Sequence, residues 1–208
     1  AAEGKTGRLR IGYMSFAAAG VMPDRVGQFA AAYPDIALEL RYLRTQAQKL
    51  ALSRGEIDCG FMLGPFHNPQ FDQVKIADDR LVAMVPSEHP LAASDGVTLA
   101  DLAACRMVLG SYDQWDFFRH LVDDIFHSAG LEARAAYEPT NTLGIFGLVS
   151  HGLGVSIGSE ALRRIVPPDV RLLPITDCTK SLVTILAWDR ANQSPALRNF
   201  VRLARKKR

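Results

Sequence analysis

Two hydroxyl residues stand where a strand gives way to a helix, and that placement, rather than any reactive group, marks the chemistry open to this chain. Leu9-Arg10-Ile11-Gly12-Tyr13-Met14 alternates as a strand and stops at Ser15. Ala17 to Gly20 reads as a small-residue turn, after which Val21, Met22, Val26, Phe29, Ala30 and Tyr33 recur at helical spacing. Thr45 repeats the arrangement: Ile36 to Leu43 alternates as a strand, and Thr45-Gln46-Ala47-Gln48 opens a short helix. In an open α/β sheet the crevice beyond the carboxyl ends of the strands is where small ligands bind. A helix start offers unpaired backbone N–H groups and the positive end of a dipole, both suited to a carboxylate, and a hydroxyl there can donate one more hydrogen bond. Ser15 and Thr45 also suit a plain N-cap role.

Other chemistries find no support. Cys59, Cys105 and Cys178 are scattered, with no CxxC and no His/Cys cluster of zinc spacing, so no metal, cofactor or disulfide framework is expected. Cys59 and Cys105 read as small buried hydrophobes. Gly152-Leu153-Gly154 follows a helix and precedes a strand, the reverse of the dinucleotide-binding order. Ser15, His67 and Asp72 form a triad only on paper, since no G-x-S-x-G elbow is present and His67 reads as solvated. The reading is a binding module and not an enzyme. Of 208 residues, 48% are hydrophobic, enough for a globular core, and the net charge of +2 leaves no nucleic-acid footprint. No apolar run is long enough for a membrane span. Residues 1–7 read as a linker stub with no signal-peptide character, and with the cysteine usage this favours the cytoplasm. The basic end, Arg202 to Arg208, reads as solvated helix-end cations, with contact to DNA phosphates as the alternative.

The elements that position Ser15 and Thr45 follow in order. The first helix and the strand over 36–43 complete a βαβ unit, expected to be right-handed and parallel. A short apolar strand is expected over 57–63, and strand-like runs over 74–77 and 81–85 are split by Asp78-Asp79-Arg80. The pattern then restarts, with a helix over 97–102, strands at 107–110 and 133–137, and helices over 114–129 and 141–151, the latter capped by Thr140 or Asn141. A strand over 155–158 and a short helix from Ser159 come next, then strands over 170–175 and 182–188 and a closing helix over 195–205. Two successive βα groups, with a return strand and helix, predict an α/β chain of two Rossmann-like lobes with a cleft between them. Lobe I is expected over 8–79 and 182–208, and lobe II over 80–181.

The chain resembles the effector-binding (regulatory) domain of LysR-type transcriptional regulators. The likeness is carried by RLRIGYMSFAAAGVMPDRVGQFAAAYPDIALEL, TQAQ, LSRGEIDCGFM, DDRLVAMVPSEHPLA and GIFGLVSHGLGVSIGSEAL, across about residues 8 to 203. Thr45 to Gln48 and the closing PALRNFVRLAR look most like activators of aromatic-compound degradation. The resemblance implies a fold like that of type 2 periplasmic binding proteins, with a small carboxylate inducer, aromatic or aromatic-derived, held between the lobes. It also implies homodimers or homotetramers, and contact with DNA only through an N-terminal helix-turn-helix domain absent from this chain. Carried over residue by residue, Ser15 and Thr45 hold the inducer carboxylate, with Phe16 and Gln46 beside them. Asp116, Phe118 and Thr142 fall on the other wall of the cleft. Leu63 stands where some relatives carry an arginine serving a second buried site, so no such second site is expected. Phe118 is equally suited to core packing and Thr142 to an N-cap. Tyr112, Trp115, Phe117 and Phe118 could stack a ring or line a dimer interface. A periplasmic solute-binding protein is the alternative that shares the fold.

Overall fold

The computed structural model describes residues 6–205, so residues 1–5 of the expected stub and 206–208 of the basic end lie outside the described residues. The chain divides into two units, the first holding residues to Asp78 and from Val183 onward, the second Asp79–Leu182.

In the first unit, β1 (Gly7–Tyr13) begins at a residue expected in the stub. It leads into α1 (Ser15–Ala19) and α2 (Met22–Ala32). The small residues expected as a turn are therefore a short helix of their own, because alanine favours the helix and Gly20 ends it. β2 (Ile36–Tyr42) pairs parallel to β1 with Tyr13 opposite Tyr42, completing the expected βαβ unit. Next come α3 (Thr45–Ser53), β3 (Cys59–Gly64), parallel to β1, and the long β4 (Phe71–Pro86). β4 corrects the expectation of two strands: Asp78-Asp79-Arg80 lies inside one continuous strand, its polar side chains outside the core.

The second unit takes β4 onward through a 3-10 turn (Pro90–Ala93), α4 (Leu99–Ala103), β5 (Met107–Val108), α5 (Tyr112–Ser128), β6 (Ala135–Tyr137) and α6 (Thr142–Ser150). β7 (Ser156–Ser159), a second 3-10 turn (Glu160–Arg164) and β8 (Val170–Pro174) follow. β9 (Ser181–Asp189) returns the chain to the first unit, which α7 (Pro195–Ala204) closes. The hydrogen-bonded order is β2-β1-β3-β9-β4-β7, with β8 on β4, and β5 pairs parallel to β6 in a small separate sheet.

Strand alternation divides the core of the first unit between the two faces of its sheet. On one face Phe61 of β3 meets Phe200 of α7, which meets Phe29 of α2 edge-on at 5.1 Å between ring centroids. Met62, the next residue, packs on the other face with Ala51, Leu52, Ile57, Phe71 and Ile185. The unit is thus a sheet with helices on both faces, as parallel strands require. Asp58, buried just before β3, accepts from the Arg10 backbone N–H at 2.8 Å and from its guanidinium at 2.9 Å, fastening β3 beside β1. Cys59 is fully buried as expected, whereas Cys105 is only partly buried, because it follows α4 in a surface turn with its Sγ near the Asp101 carbonyl at 3.3 Å.

The fully buried Gln48 ties the first unit together. Its Nε2 donates to the carbonyl of Leu43 at 2.8 Å and to that of Phe61 at 2.9 Å. Gly12 and Gly60 make room for it: a Cβ at either position would collide with the Gln48 amide. Gly60→Ala is therefore expected to destabilise the chain by about 1–3 kcal/mol through overpacking, read as a lower urea midpoint. In the second unit Thr98 and Asp101 form a reciprocal capping box at the start of α4. The Thr98 backbone and hydroxyl donors hold the Asp101 carboxyl below its ordinary pKa. The stability this contributes is present above the unfolded carboxylate pKa and is lost as pH falls through the lowered folded value. Asp101→Asn is expected to remove this share of the loss, flattening the acid limb of a stability–pH profile.

Candidate ligand-binding site

The parallel register places Tyr13 and Tyr42 side by side at the carboxyl ends of β1 and β2, their rings edge-on with centroids 5.6 Å apart. Ser15 lies just beyond, and its Oγ is 2.9 Å from the Tyr42 Oη, either hydroxyl being able to donate. When Tyr42 donates, the Ser15 proton points to whatever accepts it. Ser15 is the first helical residue of α1, and Met14 holds the cap position without a side-chain hydrogen bond. The N-cap reading is corrected for Thr45 as well. It opens α3 behind Arg44, and its buried Oγ1 accepts from the Leu63 backbone N–H at 3.2 Å. Thr45 stands one residue past the cap position with its oxygen engaged by β3, and its hydroxyl proton stays available to donate.

Phe16 and Leu63 are buried, so their side chains pack within the unit, and Gln46 is exposed. Sequence reasoning missed Tyr42 and Gln48. Tyr42 closes a strand whose register with Tyr13 cannot be read locally. Gln48 looks like any polar helix residue until β3 is placed over it.

In the second unit, Asn141 caps α6, accepting from the Gly144 N–H at 2.9 Å, as one of the two expected cap residues. Thr142 follows, with its Oγ1 buried and without a hydrogen-bond partner. Ser111, at the cap position of α5, also buries an unpaired Oγ, and its N–H donates to the Pro139 carbonyl at 3.0 Å. Ser111 and Thr142 thus flank the short segment between β6 and α6. Ser111 stands at a strand–helix junction like Ser15, a signal that could have found it. Arg119, only 3% exposed, donates to the Gly110 carbonyl at 2.8 Å and to Glu138 Oε1 at 2.9 Å while its Nε lacks a partner.

The long helix α5 leaves helical geometry at Trp115, φ −123° and ψ 22°, so it comprises two pieces. Asp116 follows the break and its Oδ1 accepts from the Phe117 N–H at 2.7 Å. Its carboxylate is thus occupied by backbone. Phe118 is buried beside Trp115, their ring centroids 6.3 Å apart. Tyr112 donates to Asp123 at 2.6 Å, which raises the phenol pKa and keeps it protonated.

These groups are donors and hydroxyls, with no nucleophile held against a base. Burial pushes the Cys59 thiol well above its ordinary pKa, so it is no nucleophile. Among the described residues no group of three His, Cys, Asp or Glu side chains could hold a metal ion. His67 is exposed. No helix among the described residues is long and apolar enough to cross a membrane.

Residues 2–208 match the LysR substrate binding domain family, and the chain belongs to it. It is 34% identical over 210 residues to the uncharacterized HTH-type transcriptional regulator YnfL of Escherichia coli K12, covering 95% of this chain and 67% of that protein. It is 28% identical over 200 residues to the Hca operon transcriptional activator HcaR of the same organism, covering 96% and 68%. The chain thus spans about two thirds of the length of these relatives. The BenM effector binding domain, solved with its effector benzoate, superposes with a TM-score of 0.84 at 26% identity, covering 96% of this chain and 90% of that one. The α/β fold expected from the sequence is the fold of these effector-binding domains.

Thr45→Val keeps the shape of the side chain and removes the acceptor for the buried Leu63 N–H. The expected cost is about 1–3 kcal/mol in urea unfolding, with Thr45→Ser restoring most of it.

Proposed function

We propose that this chain is the ligand-sensing part of a LysR-type transcriptional regulator, and that it takes a small aromatic or aromatic-derived carboxylate at Ser15 and Thr45. The observation that carries this reading is the Ser15–Tyr42 hydroxyl pair at the carboxyl ends of two parallel strands, in a chain whose family match spans nearly all its residues. A carboxylate there meets the Ser15 hydroxyl and the first N–H groups of α1, while Tyr42 holds the serine hydroxyl in place. BenM, a regulator with this fold, has benzoate as its effector, a single carboxylate on a flat ring. With hydroxyls and backbone donors in place of a paired arginine, affinity is expected in the micromolar-to-millimolar range, about 4–8 kcal/mol of binding free energy.

Such a ligand regulates only if it binds one arrangement of the protein better than another. The reading therefore includes a helix-turn-helix domain that binds DNA, and assembly of this chain into homodimers or homotetramers. A regulator of transcription works in the compartment that holds the DNA, which makes this reading cytoplasmic. It is a reading without turnover: the bound acid leaves unchanged. The named relatives are transcription regulators, which supports it over a transporter's solute-binding protein.

The test is a thermal-shift titration with benzoate and related ring carboxylates, alongside Ser15→Ala. A ligand at a hundred times its dissociation constant is expected to add about 2.7 kcal/mol, and Ser15→Ala to weaken binding at least several-fold with little change in the unliganded melting temperature. An equal shift in Ser15→Ala would show that the carboxylate does not meet this hydroxyl.

A further inference from the structure

The first unit carries a concave patch that the effector reading leaves unused. It is a groove of about 620 Å³ along α7 and the end of β9. Its floor is Trp188 and Val201, both largely buried, and its rim is Arg190, Arg198, Arg202 and Arg205. Arg198 and Arg202 stand four residues apart on α7 and Arg205 follows at its C-cap, so like charges lie close together and repel.

Among the described residues one of the four guanidiniums meets a carboxylate: Arg190 lies 3.0 Å from Asp72, which also lines the groove. Among the described residues Arg202 donates to neutral oxygens, Tyr33 Oη at 3.1 Å and Asn199 Oδ1 at 2.9 Å. Arg205 stands over the Trp188 ring, 5.8 Å from its centroid. Among the described residues the Arg198 guanidinium meets no acceptor. Among the described residues three of the four arginines lining this concavity have no carboxylate partner of their own. The planar fork of arginine matches carboxylate and phosphate oxygens two at a time.

The groove is far along the sheet from Ser15. β9 runs antiparallel to β3 with Ala187 opposite Gly60, so Trp188 and Arg190 lie toward the amino-terminal end of β3. Ser15 and Thr45 follow the carboxyl-terminal ends of the parallel strands β1 and β2. The two places are at opposite ends of one sheet.

We propose that this groove is a second binding site, for a small polyanion bearing two or more carboxylate or phosphate groups. Its volume is within the range of small-ligand sites, about 300–1,000 Å³. The ligand's oxyanions bridge Arg198, Arg202 and Arg205, while Arg190 remains tied to Asp72. The proposal stands independently of the effector reading, since it uses none of the same residues.

Isothermal titration calorimetry of the chain with citrate and, separately, tripolyphosphate at low salt tests it. Saturable binding of one equivalent is expected from at least one probe, and the probe that binds more tightly tells a polycarboxylate site from a polyphosphate site. In an Arg198→Ala/Arg205→Ala variant the affinity is expected to fall about tenfold or more, with a small change in the urea midpoint, since both side chains are exposed and the loss is confined to the contact of Arg205 with the Trp188 ring. In Ser15→Ala it is expected to stay as in the parent chain. No saturable binding of either probe, equal affinity in the arginine variant, or loss of binding in Ser15→Ala would each overturn the proposal.

Discussion

The first unit depends on one buried amide. Gln48 sits with no exposure inside the unit and joins the carbonyl of Leu43, after β2, to that of Phe61, within β3. A buried side-chain donor left unpaired costs about 1–3 kcal/mol, so the geometry is tightly constrained: α3 must start where its first full turn brings Gln48 between the strands. Thr45, three residues earlier on the same helix, is thereby held against the Leu63 N–H. The two glycines opposite the amide are part of the same arrangement, since β1 and β3 approach α3 only where they carry no side chain. The candidate ligand site in this unit is positioned by packing at its back, where no ligand reaches.

Gln48 Oε1 is itself buried without a partner, and the second unit holds further atoms of this kind. Thr142 Oγ1, Ser111 Oγ and Arg119 Nε are all buried without partners. Native folds seldom leave such groups unpaired, and these three stand at or beside the starts of α5 and α6 and behind the segment joining β6 to α6.

The chain passes from the first unit to the second inside β4 and returns inside β9, with both boundaries in strands and not in loops. Asp78-Asp79-Arg80 looks like a turn because charged residues interrupt the apolar alternation. In the structure the interruption marks where the strand leaves one core and has not yet entered the next, and the backbone pairs on regardless.

Much of this was legible in the residues. Periodicity alone located the βαβ start, the buried β3, the amphipathic α5 and the closing α7, because each buries one face and the burial shows as spacing. Asn141 as a cap, and Ser15 and Thr45 at strand–helix junctions, followed from local chemistry. The small-residue run after Ser15 was misread, since five residues are too few to show a period. What no window of sequence contained were the long-range meetings: Ser15 with Tyr42 across β1 and β2, Thr45 with Leu63, Gln48 with two strands, and the arginines of α7 with Trp188 at the end of β9. Local sequence determines where a strand stops and a helix starts because capping, propensity and amphipathicity act within a few residues. Which hydroxyl faces which, and which charges share a concavity, depends on strand register and helix packing, and only the tertiary structure decides those.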